Sequence, residues 1–398
     1  MESSAPGESV QETLSFHELL CRFAPDYLER FGTDMPQRQR EVLETILSCR
    51  TAALGGQLFG CPDCQKFRYL YHSCNDRHCP LCGTTDADDW LARQQARLLL
   101  PVPYFLLTFT LPDDLRTWVR SHPKLGYDLL FAASSQALQD LARDPKRLGA
   151  QLGMLGVLHT WSRTLVFHPH IHYLIPGGGL SLDDRTWIAS GKKFFLPFRP
   201  LANRFRTLFA QKLKKQAPEL HAHIPEKIWT QRWNLNVQAA GSGENALRYL
   251  ARYVFKTATG NRRLDLLPNG KVRWPYRSSQ SGQWTHLDLT PDELIRRFLQ
   301  HVLPQGYCRV RCFGWFHPAA QVRANRLRAL LRLAPVLSDA QKQTWKIPEG
   351  LLPVAPQPLP ESPPVPAPLC PCCQKPMCFL ERWEAGQSPP LPQWLRPP

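Results

Sequence analysis

Acidic residues are scarce in this sequence by comparison with basic ones. The 398 residues include 33 Asp and Glu against 49 Lys and Arg, which gives a formal net charge of +16. Such an excess favours a polyanionic partner, either nucleic acid or an anionic membrane surface. The sequence also lacks any apolar run of the ~18 residues that a membrane-spanning helix needs. We therefore expect nucleic acid as the partner and no membrane association.

Export signals are missing as well. Residues 1–16 contain neither the basic stretch nor the apolar core of a secretory signal, which predicts a cytoplasmic protein. Thirteen cysteines are present, but an odd count in a long chain without an export signal argues against a disulfide framework. The cysteines are clumped, and clumped Cys-x-x-Cys pairs in such a chain indicate zinc sites.

Two Cys-Pro-x-Cys pairs stand close together in residues 51–85, a Gly- and Cys-rich segment that we expect to be loop-like and to need a metal or another cross-link to be ordered. Zinc prefers four tetrahedral thiolate or imidazole ligands, and such pairs supply them on tight turns. We predict one structural zinc site, with the ligands Cys61, Cys64, Cys79 and Cys82. Cys74 and His78 lie between the pairs and either replace one of these ligands or hold a second ion.

Another group of cysteines occurs in LCPCCQKPMC, residues 369–378. Cys370 and Cys373 form a Cys-x-x-Cys pair, and Cys378 could complete a second zinc site with Cys372. The alternative is a reactive tail at the end of a Pro-rich linker, residues 347–369, which we expect to be extended. The spacing leaves both interpretations open.

Predicted helices and strands alternate through the rest of the chain. Hairpin-like spacing between the strands predicts an α+β fold with a mainly antiparallel sheet. The predicted strands are 102–112, 153–161, 168–175, 229–239 and 307–316, with a hairpin over 270–289, and the predicted helices include 124–144, 243–258 and 291–303. We divide the chain into an N-terminal helical segment (1–50), a zinc-binding domain (51–95), a main domain (96–340) and a Pro-rich linker with a Cys-containing tail (341–398).

The segment FHPHIHYLIPGGG, residues 167–179, carries histidines at alternate positions. Residues two apart share one face of a strand, and a row of imidazoles suits a metal ion better than a core. Pro169 cannot donate to a sheet, so we expect the strand to start after it and to present His170 and His172. A hairpin turning near residue 165 would bring His159 opposite one of them as the third ligand. His168 is the runner-up, and a polar groove without metal is the alternative.

The predicted helix 243–258 contains RYLARY, which puts Tyr249 and Tyr253 one turn apart on one face. An amphipathic core stripe is the ordinary explanation of such a pair. However, residues 248–277 contain eight basic residues and one acidic residue. A cationic surrounding favours the phenolate, and tyrosine can act as a covalent nucleophile. The candidate DNA-binding residues nearby are Arg248, Arg252, Lys256, Arg262 and Arg263, with Trp229, Trp233, Trp274 and Tyr276 as stacking partners for bases.

Residues 15–330 resemble a known family, the two-tyrosine rolling-circle transposases of insertion sequence ninety-one type in the HUH superfamily. The resemblance rests on CRTAALGGQLFGCPDC, SCNDRHCPLC, HTWSRTLVFHPHIHYLIPGGG and YLARYVFKTATGNRRL. It implies the HUH endonuclease fold, a central antiparallel sheet flanked by helices. Similarity to the three-histidine site of conjugative relaxases favours His159 over His168. Leu106 and Cys312 stand where relatives often carry histidine, and the candidate site residues are intact.

The resemblance also implies a reaction. It predicts nicking and joining of single-stranded DNA at insertion-sequence ends and target through a covalent 5′-phosphotyrosine on Tyr249 or Tyr253. Storage of energy in that bond fits the lack of a GxxxxGK[ST] nucleotide loop. The implied cofactors are Mg²⁺ or Mn²⁺ at the histidines, where Mn²⁺ matches imidazole better, and Zn²⁺ at the cysteines. The implied location is the bacterial cytoplasm, in association with the nucleoid.

Three other functions stay open. A replication initiator or mobilisation relaxase would use the same chemistry on a different DNA. A non-catalytic zinc-binding DNA-binding protein would bind DNA without forming a covalent adduct. A three-histidine zinc hydrolase of small substrates is disfavoured by the charge of +16 and by the lack of an evident general-base motif.

Overall fold

A computed structural model of the chain describes residues 12–83, 91, 94–95, 98, 100–191, 195–245, 247–248, 258–333 and 367–392. The strands in these ranges are β1 (Glu12–Ser15), β2 (Gly56–Gly60), β3 (Phe67–Tyr71), β4 (Pro103–Thr110), β5 (Ala150–Gln151), β6 (Gly153–Trp161), β7 (Phe167–Pro176), β8 (Gly178–Ser181), β9 (Trp187–Ala189), β10 (Leu235–Ser242), β11 (Arg263–Leu266), β12 (Val272–Arg277), β13 (Trp284–Leu289), β14 (Val310–Gly314) and β15 (Cys378–Trp383). The α-helices are α1 (Phe16–Phe31), α2 (Gln37–Leu47), α3 (Arg116–Ser121), α4 (Pro123–Arg143), α5 (Phe198–Gln216), α6 (Pro218–Ala222), α7 (Lys227–Thr230), α8 (Pro291–Leu299) and α9 (Gln321–Leu330).

The largest sheet has five strands in the order β10-β4-β7-β6-β14, and every neighbouring pair is antiparallel. One face packs on α4 and α5, where the ring of Phe109 lies 5.0 Å from that of Phe205 and the Tyr173 hydroxyl bonds to Ser134 at 2.8 Å. The other face joins a second apolar cluster that includes Val157, Leu174 and residues of α9. Because both faces are covered, the central strands are almost entirely apolar up to the point where the histidines begin.

A second sheet joins the start of the described chain to its later part. Its order is β1-β11-β12-β13, so Glu12 pairs with Leu266 although more than half of the chain separates them. Helix α1 begins after Ser15, whose hydroxyl accepts the Glu18 N–H while the Glu18 carboxylate accepts the Ser15 N–H. The helices α1, α2 and α8 cover this sheet, and the rings of Phe16 and Phe298 meet at 5.2 Å.

Two smaller sheets complete the described fold, with the orders β15-β2-β3 and β5-β8-β9. The first contains β15, which comes from the tail predicted at 341–398, and pairs it with β2. The described part of the tail therefore shares a sheet with the predicted zinc-binding domain. None of the helices in the described ranges combines the length and apolar character needed to cross a membrane.

The structure confirms an α+β architecture with antiparallel sheets. The strands predicted at 102–112, 153–161 and 168–175 correspond to β4, β6 and β7, and the predicted hairpin corresponds to β12 and β13. The expectation that this strand starts after Pro169 is wrong, since β7 begins at Phe167; Pro169 is tolerated inside it because β4 pairs with β7 only as far as His170.

Two other expectations for local structure are also wrong. The segment 51–85 is not only loop, since it contains β2 and β3. The strand predicted at 229–239 is instead the short helix α7 followed by β10, because Trp229 and Trp233 turn into the core beside α5. The Trp233 indole N–H donates to the carbonyl of Ile228 at 2.9 Å and fixes this turn. Trp233 is therefore a core residue, Trp229 packs partly buried against the same core, and neither lines the cleft that holds the histidines.

We expect Trp233→Ala to destabilise the protein by about 3–5 kcal/mol, because it leaves a cavity in the core against α5. Trp284→Ala is the matched control, since Trp284 is 73% exposed and Trp233 only 1%. The control should change stability by less than about 0.5 kcal/mol. Denaturant unfolding monitored by circular dichroism compares the two variants, and equal effects would contradict the assignment of Trp233 to the core.

Candidate metal and nucleic-acid site

The hairpin of β6 and β7 brings three histidines together. His159 pairs directly with His170, and Val157 pairs with His172. The alternation of strand side chains puts all three imidazoles on the face that carries Val157 and Leu174. Their ligand nitrogens lie within 4.8 Å of one another, which is a spacing that one metal ion can bridge.

Hydrogen bonds fix the orientation of two of the three rings. The Nδ1 atom of His170 lies 2.6 Å from the backbone carbonyl of His168, to which it donates. The Nδ1 atom of His172 lies 2.9 Å from the hydroxyl of Thr108, the residue paired with it on β4. Nε2 is then the atom that each ring offers as a metal ligand, and such partners behind a ligand are the usual way to fix its tautomer.

Burial keeps the imidazoles of His170 and His172 neutral. It lowers the pKa of His170 to about 4 and, together with the neighbouring His170, lowers the pKa of His172 to about 3. A neutral imidazole is the form that binds metal ions. The three histidines therefore fit a divalent cation by distance, and His170 and His172 also fit it by ring orientation and by protonation state.

His168 lies beside this group but outside it. Its Nδ1 atom accepts from the guanidinium of Arg116 at 2.5 Å, and burial followed by the charge of Arg116 lowers its pKa to about 4. From sequence spacing, His159 was the expected third metal ligand and His168 the alternative. The structure groups His159 with His170 and His172 and directs His168 to an arginine.

The three histidines form part of the wall of a cleft of about 620 Å³ between the β6–β7 hairpin and the β12–β13 hairpin. Its charged residues are arginines, and no carboxylate occurs among the described residues that line it. The guanidinium of Arg262 stacks on Trp274 at 4.3 Å, while the indole of Trp284 stands exposed at the edge. We call this the arginine–tryptophan cleft, and its walls include Arg163, Arg262, Arg277, Trp274, Tyr276 and Trp284.

Two protein-family models match this chain. One, described as "Transposase zinc-binding domain", matches residues 19–111, and the other, described as "Putative transposase", matches residues 153–325. "Putative transposase y4qJ" of Sinorhizobium fredii is 36% identical over 315 residues, which cover 73% of this chain and 79% of the relative. "Transposase for insertion sequence element IS801" of Pseudomonas savastanoi pv. phaseolicola is 30% identical over 296 residues, 69% of each protein.

The chain belongs to the IS91-type transposases. The resemblance found in the sequence is thereby confirmed. No solved structure matches the chain.

Of the candidate DNA-binding residues of this transposase that the structure describes, one lies in the cleft and two lie elsewhere. Arg262 lies in the cleft wall. Arg263 is exposed and donates to the Thr13 carbonyl, and Arg248 forms an ion pair with Glu244. Tyr249, Tyr253, Arg252 and Lys256 lie outside the described residues. Ala258, five residues after Tyr253, lines the cleft.

Two cleft residues were not identified from the sequence. Arg163 lies in the turn between β6 and β7 and donates to the Arg277 carbonyl at 2.9 Å, which links the two hairpins. Trp284 begins β13 opposite Arg277. Neither residue belongs to a local motif, and only the packing of the two hairpins brings them to the histidines.

Seven cysteines lie in the region matched as a zinc-binding domain, and the structure places six of them, all except Cys21, in two clusters. The first cysteine cluster is Cys49, Cys74, Cys79 and Cys82, and the second is Cys61, Cys64, Cys370 and Cys373. In each cluster the four sulfur atoms lie within 4.8 Å of one another. The expectation of a single site formed by Cys61, Cys64, Cys79 and Cys82 is wrong. Cys61 and Cys64 lie in the turn between β2 and β3, which places them in a different cluster from Cys79 and Cys82.

Cys49 was missed because it stands alone, just beyond the end of α2, with no Cys-x-x-Cys partner. His78 was a candidate ligand, but both of its ring nitrogens are engaged elsewhere. Its Nδ1 lies 2.8 Å from the Asp76 carboxylate, and its Nε2 accepts the Leu303 N–H at 3.1 Å. His78 thus ties the zinc-binding region to the segment after α8.

His301 supports the hairpin that presents the metal-site histidines. This buried side chain follows α8 and contacts the end of β6 and the turn after it: its Nδ1 lies 3.2 Å from the Thr160 hydroxyl, and its Nε2 lies 3.1 Å from the Leu165 carbonyl. Burial lowers its pKa from 6.5 to about 4. The neutral ring can donate to one partner and accept from the other.

We expect this histidine to make stability depend on pH. Below pH ~6.5 the unfolded state takes up a proton that folded His301 resists until about pH 4, so stability falls as the pH falls through this window. The contribution amounts to about 2 kcal/mol between pH 7 and pH 5. Urea unfolding of the transposase and of His301→Gln at both pH values measures it, and an equal pH dependence of the two proteins would contradict the role of His301.

Proposed function

We propose that this transposase nicks and joins single-stranded DNA at insertion-sequence ends through a covalent 5′-phosphotyrosine, as expected for a rolling-circle transposase with the HUH fold. The observation that carries the proposal is the union of three clustered histidines with a cleft whose charged residues, among those the structure describes, are all arginines. A metal-assisted site inside a cationic groove suits a phosphodiester of a nucleic acid better than a small neutral substrate.

The metal would be held by His159, His170 and His172. Three imidazoles without a carboxylate suit Mn²⁺ better than Mg²⁺, which prefers oxygen ligands. When bound, the divalent ion would act as a Lewis acid that polarises the scissile phosphate. The contacts of the Nδ1 atoms with Thr108 and with the His168 carbonyl keep the rings oriented for that task.

The nucleophiles would be Tyr249 and Tyr253. A phenolate oxygen attacks the phosphorus, the bond from phosphorus to the 3′ oxygen breaks, and the released 3′ oxygen takes up a proton. The protein retains the 5′-phosphate, and attack by a later 3′-hydroxyl restores the tyrosine and joins the new strand. Arg262 of the cleft wall would favour the phenolate and stabilise the charge on the phosphate.

The arginine–tryptophan cleft would hold the DNA strand. Arg163, Arg262 and Arg277 would contact phosphates, and the exposed face of Trp284 would stack on a base. Stacking needs an unpaired base, so the combination favours single strands over duplex. Acting on chromosomal and plasmid DNA, the transposase would function in the bacterial cytoplasm in association with the nucleoid.

We expect Trp284→Ala to weaken binding of a single-stranded oligonucleotide by about 1–3 kcal/mol, roughly 5- to 150-fold, because one base loses its stacking platform. Trp284→Phe keeps an aromatic face and should retain most of the affinity. Fluorescence anisotropy at fixed ionic strength gives the Kd values. Equal affinities of the Ala variant and the wild type would exclude Trp284 from the DNA path.

An adduct assay tests the chemistry. Single strands that carry the element ends are labelled at either the 3′ or the 5′ terminus and incubated with protein and Mn²⁺, and adducts are separated under denaturing conditions. Label should remain on the protein only when it is on the 3′ side of the nick, because the protein keeps the 5′-phosphate.

Variants assign the residues in the same assay. The double variant Tyr249→Phe/Tyr253→Phe should abolish the adduct, whereas each single change should leave some adduct but prevent complete strand transfer.

The histidine variants test the metal ligands. His170→Ala and His172→Ala should abolish cleavage, His159→Ala should nearly abolish it, and His168→Ala should retain substantial activity. Tyr71→Phe, far along the chain on β3, is the control. An adduct formed by the double tyrosine variant would disprove the proposed nucleophiles, and DNA binding without any wild-type adduct would favour a non-catalytic DNA-binding protein.

A further inference from the structure

A six-residue motif occurs twice in the chain, at a large distance in sequence. Residues 61–66 are CPDCQK and residues 370–375 are CPCCQK. The first copy is the turn between β2 and β3, and the second precedes β15. Because β15 pairs with β2, the two turns lie at the same end of one small sheet.

The two turns have the same backbone hydrogen bonds. In each, the first cysteine N–H donates to the lysine carbonyl at 2.8 Å: Cys61 to Lys66, and Cys370 to Lys375. In each, the glutamine N–H donates back to the first cysteine carbonyl, at 3.1 Å and 2.9 Å. The glutamines adopt the left-handed conformation, with φ of 53° and 59°. Two copies of one turn thus face each other.

The thiols of these turns converge on one point. The sulfur atoms of Cys61 and Cys373 lie 3.6 Å apart although the residues are 312 positions apart, and all four sulfurs of the second cysteine cluster fall within 4.8 Å. Cys61 and Cys370 are buried. Lys375 of one turn forms a 2.8 Å ion pair with Asp63 of the other, which aligns the pair from outside.

We propose that the second cysteine cluster binds a structural zinc ion that fastens the segment 367–392 to the zinc-binding domain. Four thiolates from two Cys-x-x-Cys turns are the ligand set that tetrahedral zinc prefers, and they leave no open position for a substrate. This site is separate from the first cysteine cluster, so the protein holds two cysteine-bound zinc ions. The proposal does not depend on the DNA chemistry.

The small size of the surrounding core explains why a metal is needed. The buried apolar residues around the second cluster are Phe59 and Met377, with Leu70 packed at their side. Trp383 adds edge contacts with Tyr69 and Tyr71 at 5.7 Å and 5.9 Å. A three-stranded sheet with so few apolar contacts is marginal in water, and metal binding supplies the missing folding free energy.

Zinc content tests the proposal. The full-length protein is dialysed against a weak chelator to clear the histidine site, and its zinc is then measured by mass spectrometry. We expect about two zinc ions per chain for the wild type and about one for Cys373→Ser. Cys372→Ser is the matched control, because Cys372 is the exposed neighbour outside the cluster, and it should keep both ions.

A spectroscopic measurement on the wild type covers the case in which Cys373→Ser fails to fold. Replacement of zinc by Co²⁺ should give the thiolate-to-cobalt charge-transfer absorption of two tetrahedral four-sulfur sites, about twice the intensity expected for one. A single zinc ion with the intensity of one site, or equal zinc losses in Cys372→Ser and Cys373→Ser, would overturn the proposal. Loss of DNA cleavage alone would not bear on it.

Discussion

The pairing of His159 with His170 is the contact on which the candidate site depends. A slip of one residue between β6 and β7 would turn one strand's histidines to the opposite face, toward α4 and α5. Several features hold the register: the apolar residues that fill both faces below the histidines, the bond from Thr108 to His172, and the buried His301 under the hairpin turn. A rigid core thus fixes side chains that themselves contribute little to it.

The second hairpin adds charged and aromatic groups to the candidate metal site. β12 and β13 place arginines and aromatic rings beside the three histidines, and such groups suit a long anionic chain. This hairpin belongs to the sheet that starts with β1 and is covered by α1 and α2. The N-terminal helices therefore position one wall of the cleft, although they lie more than 200 residues before it in sequence.

Local sequence patterns predicted those structural features that arise from contacts between residues close together in the sequence. The alternation of His170 and His172 and the short hairpin that returns to His159 sufficed to predict three clustered imidazoles, because strand geometry fixes both. Packing over long distances was not predictable in this way. Trp229 and Trp233 resemble stacking residues until α5 covers them, and Cys61 resembles a partner of Cys79 until β15 brings Cys373 to it. No sequence motif indicated that Trp284 and Arg163 would lie in the cleft.

The place of β15 in its sheet has a consequence for synthesis of the protein. β2 is the central strand of this sheet, yet its partner β15 follows it by about 320 residues. Translation at roughly 5–20 residues per second separates the two by on the order of 15–60 s. During that interval the nascent chain exposes one edge of β2, with its backbone N–H and C=O groups and the thiols of Cys61 and Cys64 beside it. Such an edge can pair with another chain, and neither the sheet nor the second cysteine cluster is complete until the last part of the chain has been made.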